Sequence, residues 1–408
     1  MLIGVVGKPS SGKSTFLNAA CMTDAKVGNY PFTTIEPNKG TAYVRIPCMC
    51  QTLKVECKPK NEVCTNGSRF IPIKMLDVAG LVPGAHEGHG MGNKFLNDLV
   101  RADLLLHIVD ISGSLDEKGN DVAPGSYDPL QDIKWLEDEI DQWFLGILVK
   151  EDAKGWQKFV RKVDMDKANP IDELTGRFTG QGITREHVEL AFKQTNLLSK
   201  SPTSWTEEET FDLIRTLRKI SKPIFIVANK IDRKGGIENY NRIKAELDKQ
   251  NVPIYPASGK IEHVFRTYAK NGIIEYLPGD SDFTILKPEA LKPQEIEVLN
   301  MVKERILKPF GTTGVQKALN DSVFKGLDMI IVYPVADETH YTDNDGNVLP
   351  NAFLVKRGTK LIDFVATKIH TEIAKNFIFG VHAINKKRLG KEYEVQNNDI
   401  IRIVTAAK

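Results

Sequence analysis

The stretch GKPSSGKS, Gly7 to Ser14, has the spacing G-x-x-x-x-G-K-[ST]. Glycines let successive backbone N–H groups turn toward one anion. A helix that starts there adds the positive end of its dipole. Lys13 supplies a charge for the β- and γ-phosphates of a nucleoside triphosphate, and the Ser14 hydroxyl offers a position for Mg2+. Lys8, Pro9, Ser10, Ser11, Gly12, Lys13, Ser14 and Thr15 are the candidate phosphate-binding residues. An apolar run, LIGVV (2–6), precedes the loop and a helical run, TFLNAA, follows it, which is the context this chemistry needs.

Three further stretches select among nucleotides. NKID (Asn229, Lys230, Ile231, Asp232) follows the apolar run IFIVA. A carboxylate at Asp232 can accept from both the N1–H and the exocyclic amine of guanine, a donor pair that adenine lacks. ASGK begins with Ala257, Ser258 and Gly259 after VPIYP, where a small-residue turn can offer a backbone N–H to the guanine O6. DVAG ends the run IPIKML; there Asp77 can hold Mg2+ through water and the Gly80 N–H can sense a γ-phosphate. The pair Thr33–Thr34 in NYPFTTIEPNKG lies between these motifs, with Thr34 as the favoured metal ligand beside Ser14 and Asp77.

The residue after D-x-x-G is Leu81, where a glutamine would orient the attacking water. Leucine cannot hydrogen-bond water, so slow intrinsic hydrolysis is expected. His86 and His89, in the glycine-rich stretch DVAGLVPGAHEGHGMGNKF, and His107, in LLLHIVD, are candidates to complete the site as general base or water anchor. The alternatives are two surface histidines and one core histidine.

These loops need strands to present them. LIGVV, IPIKML, LLLHIV (104–109), IFIVA (224–228) and VPIYP (252–256) are near-continuously apolar, as strands covered on both faces are. An α/β, doubly wound, mainly parallel sheet is the predicted core. More than one crossover's length separates LLLHIVD from IFIVA. Within it, Leu130, Ile133, Leu136, Ile140, Trp143 and Ile147 recur at helical spacing behind Asp128-Pro129, and Thr206 and Glu209 have capping-box spacing. A helical insertion over 128–220 is predicted, dividing a nucleotide domain of 1–127 plus 221–322. From 323 to 408, short strand-like runs (MIIVYPV, NAFLVKRG, KEYEV, DIIRIV) surround one predicted amphipathic helix carrying Leu361, Val365, Ile369 and Ile373.

In this order the motifs resemble the Obg superfamily of translation-factor-class GTPases. The insertion and C-terminal segment resemble its YchF / Obg-like ATPase subfamily, archaeal type, and residues 323–408 resemble a TGS domain, a β-grasp module. The resemblance spans essentially the whole chain. It implies a P-loop NTPase fold, hydrolysis of GTP with Mg2+, and association with ribosomes or ribosomal RNA in the cytoplasm. Many members carry N-x-x-E in place of N-K-x-D and prefer ATP; Asp232 favours GTP here, with ATP as the alternative. Ser10 stands where K+-stimulated members carry asparagine, which leaves K+ dependence open.

A net charge of +2 over 408 residues argues neither for nor against nucleic acid, so any basic surface must be local, and no apolar run has membrane-spanning length. Neither DNA nor a membrane is an expected partner. A monomer is expected. Lys386, Lys387, Arg388 and Lys391 form a local basic run that could contact RNA phosphates or simply be a solvated turn. Cys48, Cys50, Cys57 and Cys64 fall within seventeen residues; zinc binding, redox-active thiols and a plain hairpin all fit that spacing. A rival to the switch protein is a scaffold with a structural nucleotide, against which Lys13, Ser14 and Asp77 argue.

Overall fold

The computed structural model describes residues 1–21, 39–78, 99–149 and 155–406. Its centre is a seven-stranded sheet containing β1 (Leu2–Val6), β2 (Lys39–Pro47), β3 (Val63–Thr65), β4 (Ser68–Asp77), β5 (Leu104–Asp110), β6 (Ile224–Asn229) and β7 (Ile254–Pro256). The order is β2-β4-β1-β5-β6-β7, with β3 also on β4. From β4 to β7 every pairing is parallel, while β2 and β3 run antiparallel to β4. The five apolar runs read from the sequence are the five parallel strands. β2 was not expected: its residues KGTAYVRIP mix polar and apolar side chains because it sits at the sheet edge.

Helix α1 (Lys13–Cys21) follows β1, and α2 (Met49–Leu53) follows β2. The insertion opens with α3 (Pro129–Val149), whose Leu130 N–H donates to Asp128 Oδ1 at 3.1 Å, and closes with α4 (Glu207–Ser221). Thr206 and Glu209 cap α4 reciprocally: Glu209 N–H donates to Thr206 Oγ1 at 3.1 Å and Thr206 N–H to Glu209 Oε2 at 3.0 Å. Between α3 and α4 the buried Arg218 donates through Nε to Asp141 at 2.7 Å. Helices Pro170–Phe178 and Arg185–Thr195 complete the insertion's apolar cluster around Phe144, Phe178 and Phe192.

After β7 come α5 (Gly259–Lys270), the small hairpin β8 (Ile274–Glu275) and β9 (Thr284–Ile285), and α6 (Val315–Asp321). The C-terminal sheet has β10 (Met329–Val335), β11 (Phe353–Lys356), β12 (Phe377–His382), β13 (Arg388–Leu389) and β14 (Asp399–Thr405) in the order β11-β10-β14-β12-β13. Two readings of this region change. KEYEV forms no strand, only an isolated bridge between Lys360 and Glu394, and FIFGVH supplies β12 instead. The single predicted helix breaks at His370, which is extended (φ −167°, ψ 139°); its ring Nδ1 accepts from Glu372 N–H at 3.1 Å and caps a second short helix. That local bond competes with helix continuation.

Strand periodicity explains how the C-terminal sheet is held. Ile330 and Val332 of β10, with Ile401 of β14, face a core shared with Leu361, Phe364 and Val365. Alternate residues Ile331, Tyr333 and Val335, with Ile400, join the cluster of Ile3, Val5, Leu106 and Val227 in the nucleotide domain. Both faces of this sheet are therefore buried, one in its own core and one against the nucleotide domain.

Candidate functional site

Five loops leave the carboxyl ends of adjacent parallel strands: Gly7–Gly12 after β1, Asp77 on β4, Asp110 on β5, Asn229 on β6 and Ala257 after β7. The parallel register places Val5 beside Asp77, Val6 beside His107 and Asp110 beside Asn229. An open α/β sheet binds ligands along this edge.

The phosphate loop is shaped by its glycines. Gly7 has φ +146°, and a Cβ there would stand 2.4 Å from the Ile108 carbonyl oxygen. Gly12 has φ +96°, and a Cβ would stand 2.3 Å from Asn229 Nδ2. Lys13 Nζ arches over the loop and donates to the Lys8 carbonyl at 2.8 Å. Burial lowers its pKa, against the pull of Asp77, whose own pKa burial raises despite Lys13 and Ser14. Lys8 points elsewhere. Its ammonium pairs with Asp132 of α3 at 2.7 Å, donates to the carbonyls of Leu115 (3.2 Å) and Asp116 (2.9 Å), and lies over the Tyr127 ring. Only its backbone is left for a phosphate. Pro9, Ser10, Ser14 and Thr15 are exposed, and Ser11 is buried.

On the base side, Asn229 ties three motifs together. Its Nδ2 donates to the Ser11 carbonyl at 3.0 Å and its Oδ1 accepts from Gly259 N–H at 3.1 Å. Lys230 takes φ +61° and donates through Nζ to Asp110 at 2.9 Å. Asp232 is exposed, so its carboxylate is free to meet a base. Ala257 N–H donates to Ala228 O at 2.9 Å, and Ser258 N–H to Thr313 O at 2.9 Å. The small-residue turn is thereby set between β6 and the Thr313–Gly314 bend. Gly314 (φ +91°) has to be glycine, because a Cβ would stand 1.8 Å from the Pro256 oxygen.

Comparison with known proteins places the chain in a family. Residues 2–140 match the family described as 50S ribosome-binding GTPase. Residues 227–337 match the Obg-like GTPase YGR210-like, G4 motif-containing domain, and residues 338–405 the TGS domain. An uncharacterized GTP-binding protein of Methanocaldococcus jannaschii is 45% identical over 407 residues, with all of both chains covered. The crystal structure of a GTP binding protein from Pyrococcus horikoshii OT3 is 35% identical, with TM-score 0.76 and all of both chains covered. The chain belongs to the YchF-type Obg-like GTPases. A ribosome-binding ATPase YchF of Bacillus subtilis is 27% identical over 98% of this chain and 97% of that one.

Within this Obg-like frame the fold expected from sequence is the fold observed: a P-loop GTPase sheet with a helical insert and a C-terminal TGS domain. A YchF-type protein needs Mg2+ with its nucleotide. Ser14 Oγ donates to Asp77 Oδ2 at 3.3 Å beside the Lys13 ammonium, so a hydroxyl and a half-buried carboxylate converge next to the phosphate loop. Such hard oxygen donors fit Mg2+. The third expected ligand, Thr34, and the γ-phosphate sensor Gly80 lie outside the described residues, as do Leu81, His86 and His89.

His107 lies on β5 and is 1% exposed, with no hydrogen-bond partner for Nδ1 among the described residues. Burial, followed by the charges of Lys13 and Lys8, pushes its pKa down to about 3. The ring is neutral at physiological pH and a weak base.

Two anchors of the Obg-like site escaped sequence reasoning. Asp110 ends the apolar run LLLHIV and reads there as a strand terminus. It accepts from Ser112 Oγ (2.5 Å), Ser114 Oγ (2.7 Å) and Lys230 Nζ (2.9 Å). Burial alone would raise its pKa, but these bonds lower it, so Asp110 is an anion that holds Lys230. The second anchor is Thr313, whose only sequence signal is the glycine-flanked turn GTTG.

Proposed function

We propose that the protein is a GTP-hydrolysing switch whose nucleotide state is read by the ribosome. The observation that carries this reading is Asn229: one buried carboxamide joins the phosphate loop to the 257–259 turn and leaves the Asp232 carboxylate exposed beside them. That arrangement supports guanine over adenine, because a carboxylate satisfies the two guanine donors and repels the adenine ring nitrogen's lone pair. Mg2+ is held by Ser14 and Asp77 with Thr34, and it neutralises charge on the transferring phosphoryl group. Lys13 binds the β- and γ-phosphates. Gly80 senses the γ-phosphate, and the loops around Thr34 and Gly80 reorder when it leaves. With Leu81 in place of a water-orienting glutamine, turnover is slow until a further group is supplied.

The family match to ribosome-binding GTPases and the name of the Bacillus subtilis relative support the ribosome as partner. The exposed run Lys386, Lys387, Arg388 and Lys391 on the TGS domain is a fitting contact for ribosomal RNA phosphates.

Competition of GTP and ATP against one labelled guanine analogue tests the base reading; stronger displacement by ATP would make the protein an ATPase of the same build. Pelleting with ribosomes in GDP or in a non-hydrolysable GTP analogue tests the switch. Equal recovery in both would leave a scaffold rather than a switch.

A further inference from the structure

The nucleotide site leaves one chemically distinctive cluster unused. Cys48, Cys50, Cys57 and Cys64 follow the pattern C-x-C-x6-C-x6-C, and three local folds bring them together. Cys48 caps α2 and Cys50 lies in its first turn; Lys54 then ends the helix in the left-handed region (φ +54°), and Val55 N–H donates to Cys50 O at 3.0 Å. Cys57 follows outside any helix or strand, and Cys64 lies in β3. The Asn66–Gly67 turn (φ +50° and +74°) folds β3 onto β4, and Gly67 O accepts from Cys48 N–H at 2.8 Å.

All four side chains are free thiols, and their sulfurs lie within 4.8 Å of one another. Cys48 and Cys57 are 3.9 Å apart at Sγ, and Cys50 and Cys64 3.8 Å. A tetrahedral site with Zn–S bonds of about 2.3 Å has sulfur–sulfur edges of about 3.8 Å. A disulfide needs about 2.05 Å. The spacing is that of ligands around one ion.

We propose that Cys48, Cys50, Cys57 and Cys64 bind one zinc ion as a closed structural site, and that this site holds the strip on which the TGS domain docks. Soft thiolates in tetrahedral array select zinc or iron among common metals. Four protein ligands leave no position for substrate, so the role is structural rather than catalytic.

The strip is residues 58–62, between the third ligand and β3. It has no helix or strand of its own, and its partners lie in residues 343–352. Lys58 N–H donates to Val348 O at 2.9 Å and Lys60 N–H to Pro350 O at 2.8 Å. The Lys60 ammonium pairs with Asp343 (2.8 Å) and Asp345 (2.7 Å), and Glu62 accepts from Ala352 N–H at 2.9 Å. Arg69 links the sulfur cluster to this contact. Fully buried, it pairs with Glu62, donates to Leu349 O at 2.8 Å and places Nη1 3.9 Å from Cys48 Sγ. Zinc with four thiolates carries a net charge of about −2, which a buried guanidinium at the sulfur offsets in part.

Metal analysis of the full chain, purified without chelator or added metal, tests the site. One zinc per chain is expected, released by an organomercurial thiol reagent and lost in the C57S/C64S variant but kept in C21S, which alters the one cysteine outside the cluster. Iron in place of zinc, metal-free protein with all five thiols reactive, or a mass deficit showing disulfides would each overturn it. Should the double variant misfold, reversible mercurial removal of zinc from the unaltered chain gives the same readout. Hydrogen exchange before and after zinc removal tests the docking role: residues 55–62 and 343–352 should exchange about tenfold faster or more. Unchanged exchange there would overturn that role. Guanine-nucleotide binding in the same samples reports separately on the switch reading.

Discussion

Lys8 in the phosphate loop and Asp132 in the first turn of α3 form a buried ion pair at 2.7 Å. The insertion is thus bonded directly to the Gly7–Ser14 loop. Tyr127 lies against the Lys8 ammonium, and the carbonyls of Leu115 and Asp116 accept from it. Arg218 and Asp141 in turn join α3 to α4.

Breaking this pair from one side strands a buried charge. Asp132→Ala should cost about 3 kcal/mol, seen as a lower thermal unfolding midpoint of the unliganded protein. The double change Lys8→Met with Asp132→Leu should recover most of that loss. Equal destabilisation by both would show that the pair does not act as a unit.

Asn229→Ala removes two buried hydrogen bonds, to Ser11 O and from Gly259 N–H. At about 1–3 kcal/mol for each group left unpaired, guanine-nucleotide affinity should drop at least tenfold to a hundredfold. Titration with a fluorescent GDP analogue measures it. Gly12→Ala should weaken binding as well, since its Cβ would collide with the same carboxamide.

On the proposed reading Asp232→Ala should lower GTP affinity by at least about tenfold while ATP affinity is unchanged or rises, because the carboxylate would accept from donors that only guanine carries and repel the adenine ring nitrogen. A parallel loss for both nucleotides, measured by competition, would remove Asp232 from base selection.

His107 gives a pH signature. Its ordinary pKa of 6.5 falls to about 3 in the fold, so between those values the unfolded chain binds a proton that the native chain refuses. Stability should therefore be insensitive to this group above about pH 7 and decline on acidification by up to about 1.4 kcal/mol per pH unit. His107→Leu should remove that slope, read from urea midpoints across pH 4–7. Single-turnover hydrolysis by the same variant decides its chemistry. An unchanged rate makes it a core histidine, and a rate reduced by about a hundredfold or more a catalytic one.

Asp110 acts in the same direction, at lower pH. Its pKa is lowered in the fold, so its contribution is present above the ordinary value of 3.8 and lost as pH falls through the lower native value. Asp110→Asn should loosen Lys230 and make nucleotide binding weaker at neutral pH, where the carboxylate is the charged partner of that lysine. Nucleotide titration at pH 7 checks it.

Much of this protein was legible in one dimension because its chemistry is local. Phosphate binding needs glycines, a lysine and a hydroxyl within eight residues, and GKPSSGKS states all of them. The parallel strands announced themselves because burial on both faces demands unbroken apolar runs. Thr206 and Glu209 predicted their own capping box because a helix terminus is a four-residue event. Edge strand β2 and strand β12 were missed: they carry no unbroken apolar run, and mixed side chains give a weaker signal.

What the sequence by itself determined is the set of groups and the strand-ends that carry them, since each motif's function depends on neighbours along the chain. Tertiary structure alone decided which distant groups meet. It turned Lys8 away from the phosphates to Asp132, gave Lys230 to Asp110, backed the 257–259 turn with Thr313, and drew four cysteines to within 4.8 Å of one another. The physical reason is the same in each case. Spacing along a chain sets what lies on one turn or one strand, but an ion pair, a buried carboxamide or a cluster of sulfurs joins segments whose distance is set by how sheets and helices pack.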